Sequence, residues 1–520
     1  MATQQWRVDD LSGAHPPRTR KWLFVALIML GAIVAAAAIL LAVKWPFTRE
    51  RVTRRLQDAT STTVHMGSFK AEYFPHPGCV AENVIFRPQR TGSQPLMTIH
   101  TLTIRGTFFG LFTQHVGRVQ AEGTHIALPP FGTGQTLGGS NKGGTVVDRL
   151  IADGAVLDVL PKNAGGRPTR FLLRRFELRG LGGNRALSFQ TVLENPKPPG
   201  EVTAGGSFGP WKSGSAASTP VSGRYAFRHA DLSVFRGIAG MLASDGIFYG
   251  TFRQLHVQGT TDTPDFEAAH SGHKFHLSAQ FHVLVDATNA NVILQNAAAL
   301  VGHTTVAAQG RIASLRPGEG KTADLDLSVQ DGRIEDALLL FIKAPRSPLM
   351  GVTSFRAHVI IPPGHTAFVR KVKLQGDFGI GGARFTSPKT EKSLTELSQR
   401  SRGDKDKAEQ PANPERVLSN LRGQVALNNG VATFSNISFT VPGARAEMHG
   451  TYNLVNLRIN LHGLLHMQSK LSHATSGIKS FLLKALSPFL KSNHRHEVLP
   501  VSITGTYNHP SYHMSPQSKK

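Results

Sequence analysis

The residues able to do chemistry are few and poorly spaced for it. Three histidines crowd into HSGHKFH (His270, His273, His276) and two more into HRH (His494, His496). A hydrolytic zinc centre needs three ligands and an open fourth position, often with two ligands on consecutive turns of a helix and a carboxylate base. These histidines fall in stretches that read as strand and loop, and neither HExxH nor CxxC occurs. We assign them to polar strand faces. The single cysteine, Cys79, cannot close an internal disulfide or hold a metal alone, and it fits a reducing compartment as well as an exported protein built without disulfides. There is no G-x-S-x-G elbow and no P-loop, and GGSNKGG has linker composition without phosphate-binding spacing. The sequence predicts no catalytic residue, no metal and no cofactor, hence no enzyme.

The elements that would position any site are dominated by alternation. Side chains of a strand point to opposite faces with period two. In KFHLSAQFHVLVDA the apolar set is Phe275, Leu277, Ala279, Phe281, Val283 and Val285, with His276, Ser278, Gln280 and His282 opposite. TADLDLSVQDG sets Leu325, Leu327 and Val329 on one side, and YNLVNLRINLHGLL does the same with Val455, Leu457, Ile459 and Leu461. Turn pairs such as Asn429–Gly430 and Asp331–Gly332 sit where hairpins need them. Helical patterns are few. A short basic helix follows residue 48, Leu232–Ala243 and Ile334–Ile342 read as short amphipathic turns, and Ser476–Ser492 is longer, with Ile478, Phe481, Leu482, Ala485 and Phe489 on one face. Residues 129–144 and 386–415 read as flexible loops. The fold class expected is mainly β: one long antiparallel sheet with a few short amphipathic helices. A closed sandwich would bury such faces against each other, but so many one-sided strands with so few covering helices argue for a sheet whose apolar face is left for something else.

With 520 residues, 58 Lys and Arg against 34 Asp and Glu, and a net charge of +24, the chain suits an anionic partner. The basic residues are scattered and no nucleic-acid module is present, which excludes nucleic acid and leaves an anionic membrane surface. The run Leu23–Val43 is uncharged and apolar. As a helix it would be about 31 Å long, matching a hydrocarbon core of about 30 Å, and Lys21–Trp22 and Lys44–Trp45 bracket it as interfacial residues do. KWPF follows where a signal peptidase would need small residues, so the run reads as an uncleaved single-pass anchor. Arg7, Arg18, Arg20 and Lys21 before it nearly balance Lys44, Arg49, Arg51, Arg54 and Arg55 after it. Charge does not orient the anchor.

The order of these segments resembles the AsmA-like family of bacterial envelope proteins, with its TamB- and YhdP-type members. The likeness is carried by the N-terminal anchor, VHMGSFKAEYFPHPGCVAENVIFRP (Val64–Pro88), the stretch Pro220–Phe266, DLDLSVQDGRIEDALLLF, and the C-terminal MHGTYNLVNLRINLHGLL and LPVSITGTYNHPSY. The resemblance implies a short cytoplasmic N-terminus (1–22), an inner-membrane anchor (23–43) and a periplasmic body. The body would comprise β regions at 46–205, 206–385 and 416–520, interrupted by the charged loop 386–415. It also implies that the sheet curls into an open groove lined by Phe275, Leu277, Phe281, Val283, Leu325, Leu327, Val329, Val455, Leu457, Ile459 and Leu461. The partners implied are membrane phospholipids, carried between membranes in support of outer-membrane assembly or integrity, and unidentified envelope proteins. Ile478, Phe481, Leu482 and Phe489 would dock on a membrane or partner at the far end, or plug the sheet there. The alternative is a non-enzymatic scaffold or tether whose sheet closes on itself.

Overall fold

The computed structural model describes residues 45–88, 94–113, 115–129, 145–160, 168–182, 185–210, 216–235, 237–268, 271–315, 320–340, 346–347, 349–364, 366–385, 419–441, 444–467, 498–506 and 509–514. The predicted anchor at Leu23–Val43, the loop 386–415 and the segment holding Ile478, Phe481, Leu482 and Phe489 lie outside these residues. Among the described residues no helix is long and apolar enough to cross a membrane.

The chain enters through α1 (Arg49–Thr60), whose N-cap Thr48 accepts a hydrogen bond from the Arg51 amide and whose C-cap Ser61 turns left-handed. Strands follow as β1 (Thr62–His65), β2 (Ser68–Glu72), β3 (Gly78–Pro88) and β4 (Met97–Arg105), then α2 (Phe108–Thr113). Next come β5 (His115–Glu122), β6 (His125–Leu128), β7 (Val146–Ile151), β8 (Ala155–Val159), β9 (Thr169–Leu181) and β10 (Leu187–Pro196). The middle holds β11 (Pro199–Phe208), β12 (Pro220–Asp231), β13 (Ile238–Ala239), β14 (Met241–Thr251), β15 (Leu255–Ala268), β16 (Lys274–Asp286), β17 (Asn291–Val301), β18 (Thr304–Ser314) and β19 (Lys321–Arg333). After α3 (Ile334–Leu339) come β20 (Leu349–Ile361), α4 (Phe368–Lys371), β21 (Lys373–Phe385), β22 (Ser419–Asn428), β23 (Val431–Val441), β24 (Ala444–Asn453), β25 (Arg458–Met467), β26 (Val498–Thr506) and β27 (His509–Met514).

The 27 strands of the described residues belong to one sheet. From β9 onward each strand pairs antiparallel with the next, except that β12 pairs with β14 and the two-residue β13 extends that row against β15. The sheet is nonetheless mixed, which corrects the expectation of a wholly antiparallel one. The rows β5–β6 and β7–β8 run parallel to each other, and the chain between them, residues 129–145, has the dozen or more residues that a parallel connection requires. Pairing runs unbroken across the boundary expected near residue 205, which falls inside β11, and β21 pairs with β22 across residues 386–418.

The helix expected over Leu232–Ala243 is not there. A single 3-10 turn at Leu232–Val234 gives way to extended chain, because Gly237 and Gly240 take positive φ angles of 110° and 131° and return the backbone to the ladder. Densely buried apolar side chains concentrate at the N-terminal end. Trp45, Phe47, Val52, Met66, Cys79, Val84, Phe86 and Leu102 form one core between α1 and the first strands. Elsewhere fully buried clusters are small: Ala357, Val359 and Val372 near α4, and Ile380 with Ala383 nearby.

Candidate functional site

Register decides which residues share a face, because ladder partners point the same way. Successive partners across the sheet include Ala71, Cys79, Ile104, Val119, Leu150, Leu178, Phe189, Gly206, Gly223 and Phe248. The same row continues through Val257, Val283, Leu294, Gly310, Leu325, Val359, Leu374, Leu427, Ala432, Tyr452, Ile459 and Gly505. No charged side chain interrupts it. A neighbouring row runs Tyr225, Gly246, Gly259, Phe281, Ala297, Ala308, Leu327, Ala357, Gly376, Val425, Phe434, Gly450, Leu461 and Ile503, again without a charge. At about 4.8 Å per strand the contour of such a row is on the order of 100 Å. β-Bulges, as between Val329 and Gly332 or Phe434 and Ile437, absorb an extra residue and keep the apolar set on its side.

Glycines in these rows are covered by rings. Phe189 and Phe248 flank the Gly206–Gly223 pair, and their centroids come within 6.4 Å by leaning over it. A Cβ on Gly206 would lie 2.0 Å from the Ser222 carbonyl oxygen, and one on Gly246 would lie 2.7 Å from the Tyr225 ring. The polar atoms of this face are partly spent on the sheet itself: the Tyr225 hydroxyl lies 3.1 Å from Ser244 Oγ, which donates to the Thr260 carbonyl.

The predicted lining residues Phe275, Leu277, Phe281, Val283, Leu325, Leu327, Val329, Ile459 and Leu461 all fall on this face. Val329 is buried, and the others are half-buried, so each of those keeps some contact with solvent. Val455 and Leu457 do not join them. Both lie in the β24–β25 turn, Val455 exposed and Leu457 at φ 58°. Here side-chain capping beats alternation: Asn453 Oδ1 accepts from the Val455 and Asn456 amides, and Asn456 Oδ1 accepts from the Arg458 amide. Strand begins only at Arg458.

The opposite face is polar: Arg228 pairs with Asp245 at 2.6 Å and Arg311 with Asp324 at 2.9 Å, and His276 is hydrogen-bonded to Asp262 at 2.5 Å. Thus His276 is a strand-face hydrogen-bond partner of Asp262; His270, His494 and His496 lie outside the described residues. A cavity of about 680 Å³ opens on this face across β17–β23, lined among others by Gln309, Asp326, Arg356, His358, Gln375 and Asp377. Sequence reasoning missed it, because it is assembled from rows that cross strands. His358 lies between Asp326 (Nδ1 to Oδ1, 2.9 Å) and Asp324 (Nε2 to Oδ1, 3.2 Å).

Near the N-terminal end Asp158 is buried, held by both Arg170 Nε and Nη2 at 2.8 and 2.9 Å and by His125 at 2.8 Å. The hydrogen bonds from Arg170 hold its carboxyl down at about 2, with burial opposing them and His125 adding to them. The trio ties β6, β8 and β9 together. Burial, with a smaller effect from Glu72, pushes the Cys79 thiol up to about 12, which makes it inert.

No family model matches the chain, and no curated protein or solved structure matches it.

Proposed function

We propose that this is a membrane-anchored envelope protein of AsmA-like type whose apolar sheet face takes up phospholipid acyl chains and conducts them between membranes. The observation that carries this reading is the charge-free apolar row itself, continuous in register from β2 to β26 and left half-open along most of its length. Burying a methylene is worth about 0.8 kcal/mol, so a sixteen-carbon chain free in water is disfavoured by on the order of 12 kcal/mol. A sheet curled about its apolar face would lower that barrier along the whole path, while the head group stayed at the wet rim. Half-buried Leu, Val and Phe side chains have apolar area still to cover, and acyl chains are the apolar partner that the anchor of Leu23–Val43 would bring within reach. Periplasmic location and the cytoplasmic N-terminus belong to the same proposal.

The test is site-specific photocrosslinking in the full-length protein in cells fed radioactive phosphate. A photoreactive residue at Leu327 or Leu461 should capture labelled phospholipid, and one at Ser328 or His462, their neighbours on the other face, should not. Equal capture from both faces, or none from either, would sink the conduit.

A second reading, a non-enzymatic scaffold for envelope machinery, is favoured by one different observation. The cavity on the polar face presents Gln309, Gln375, Asp377 and Arg356, whose side chains make no hydrogen bond among the described residues. Unspent donors and acceptors in a row suit a polar protein segment. A protein captured by photoreactive residues at Gln375, with no lipid captured at Leu327, would support the scaffold.

A further inference from the structure

Among the described residues the most exposed aromatic side chains lie together, at the end of the sheet where the chain emerges from residue 44. Phe74 is 85% exposed, Phe109 77%, Tyr73 61% and Phe108 44%. Tyr73 and Phe74 form the tip of the β2–β3 turn, and Phe108 and Phe109 open α2 after β4. These tips are held side by side. The Gly106 amide donates to the Pro77 carbonyl at 2.7 Å, and a Cβ on Gly106 would lie 3.4 Å from the Phe47 ring. Beneath them the Trp45 ring lies against Tyr73, tilted by 33° with centroids 4.8 Å apart, and meets Phe47 edge-on at 5.9 Å. Aromatic residues with an apolar body prefer the boundary between head groups and acyl chains. So large a cluster of exposed rings on a basic protein marks an interaction surface.

We infer that Tyr73, Phe74, Phe108 and Phe109 form a bilayer-seating surface, inserted into the head-group boundary of a phospholipid membrane. Two features select a membrane over a protein partner. The uncharged run Leu23–Val43 ends two residues before Trp45, so a bilayer holding that run brings its interface to these tips. Arg105 and Arg118, cross-strand partners at the same end of the sheet, and Arg51, whose guanidinium donates to the Trp45 carbonyl at 2.9 Å, supply positive charge for anionic lipid, with Glu72 the opposing acid there. The inference rests on the anchored reading above and adds a second membrane contact to it. Anchor and tips together would fix how the sheet stands on the membrane, with its first strands closest to the lipid.

The buried Cys79 makes a clean test possible, because its thiol does not compete for labelling. Full-length protein carrying Phe74→Cys, Phe109→Cys or, as a distant control, Leu315→Cys (Leu315 is 68% exposed) is labelled with an environment-sensitive fluorophore. It is then placed in vesicles of equal phosphatidylethanolamine and phosphatidylglycerol, with unchanged far-UV circular dichroism required of each variant. Labels at 74 and 109 should shift to the blue and be quenched by lipid-borne quenchers, while the label at 315 stays wet. Anchored protein, resistant to alkaline extraction, with all three labels wet would overturn the seat and leave the anchor standing. Extractable protein whose labels at 74 and 109 still shift on added vesicles would support the seat and remove the anchor. Extractable protein with wet labels would overturn both.

Discussion

Single residues separate what holds this protein together from what it offers to a ligand. The Asp158 carboxyl, near 2 in the fold against an ordinary 3.8, stabilises the folded state above about pH 4, and that stability is lost as pH falls toward 2. The linkage amounts to at most about 2 kcal/mol, and less because Arg170 and His125 are about half-exposed and screened. Asp158→Asn should therefore lower the stability measured by urea unfolding at pH 6 by about 1–2 kcal/mol, and leave a smaller difference from wild type at pH 2.5. Equal differences at both pH values would mean that the pair acts by packing alone. On the apolar face the sensitivity is to charge. Leu327→Lys should abolish lipid capture, and Ser328→Lys, one residue along and facing the other way, should leave it intact in the same crosslinking assay. Lys at either position is tolerable to the fold, because a half-open face lets the long stem bend its ammonium to water.

Among the elements, the strands could be read from alternation because one face is polar almost throughout, and period two then marks β16, β19 and β25 without help from context. Three features escaped. Alternation in YNLVNLRINL continues two residues into a turn, since Asn453 and Asn456 use their side chains on the backbone and Leu457 accepts a left-handed conformation. A non-glycine residue there costs about 1 kcal/mol, so Leu457→Gly, which relieves this but loses a half-buried side chain, should change stability by less than about 1 kcal/mol in thermal or urea unfolding and should not alter lipid capture. The parallel pairing of β5–β6 with β7–β8 could not be read, because alternation identifies a strand and not its partner. Nor could the cavity around His358, whose lining residues are brought together only by the register of successive strands. Glycines inside the strands prove to be seats for rings. Gly206→Val would drive a side chain into the Ser222 carbonyl, and it should destabilise by more than about 2 kcal/mol, seen as a lowered unfolding midpoint.

At the scale of the molecule the apolar face has two ends and no branch, so what passes along it must pass every strand. Leu294→Asp, in the middle of the row that joins Val283 to Gly310, should leave lipid crosslinking at Phe189 undiminished and reduce it at Leu461, whereas wild-type protein labels at both. Loss at both positions, or at neither, would show that lipid does not travel along the row. From β14 on, each strand pairs with its immediate neighbours in sequence, and this has a consequence for how such a protein changes size. Removing two adjacent strands, such as β17 and β18, would bring β16 beside β19 still antiparallel. The period-two code of each strand would be untouched, as in repeat proteins whose stability is summed from nearest neighbours. Length is thus a quantity that insertion or loss of a hairpin can adjust in steps of roughly 10 Å, a ruler whose divisions are hairpins.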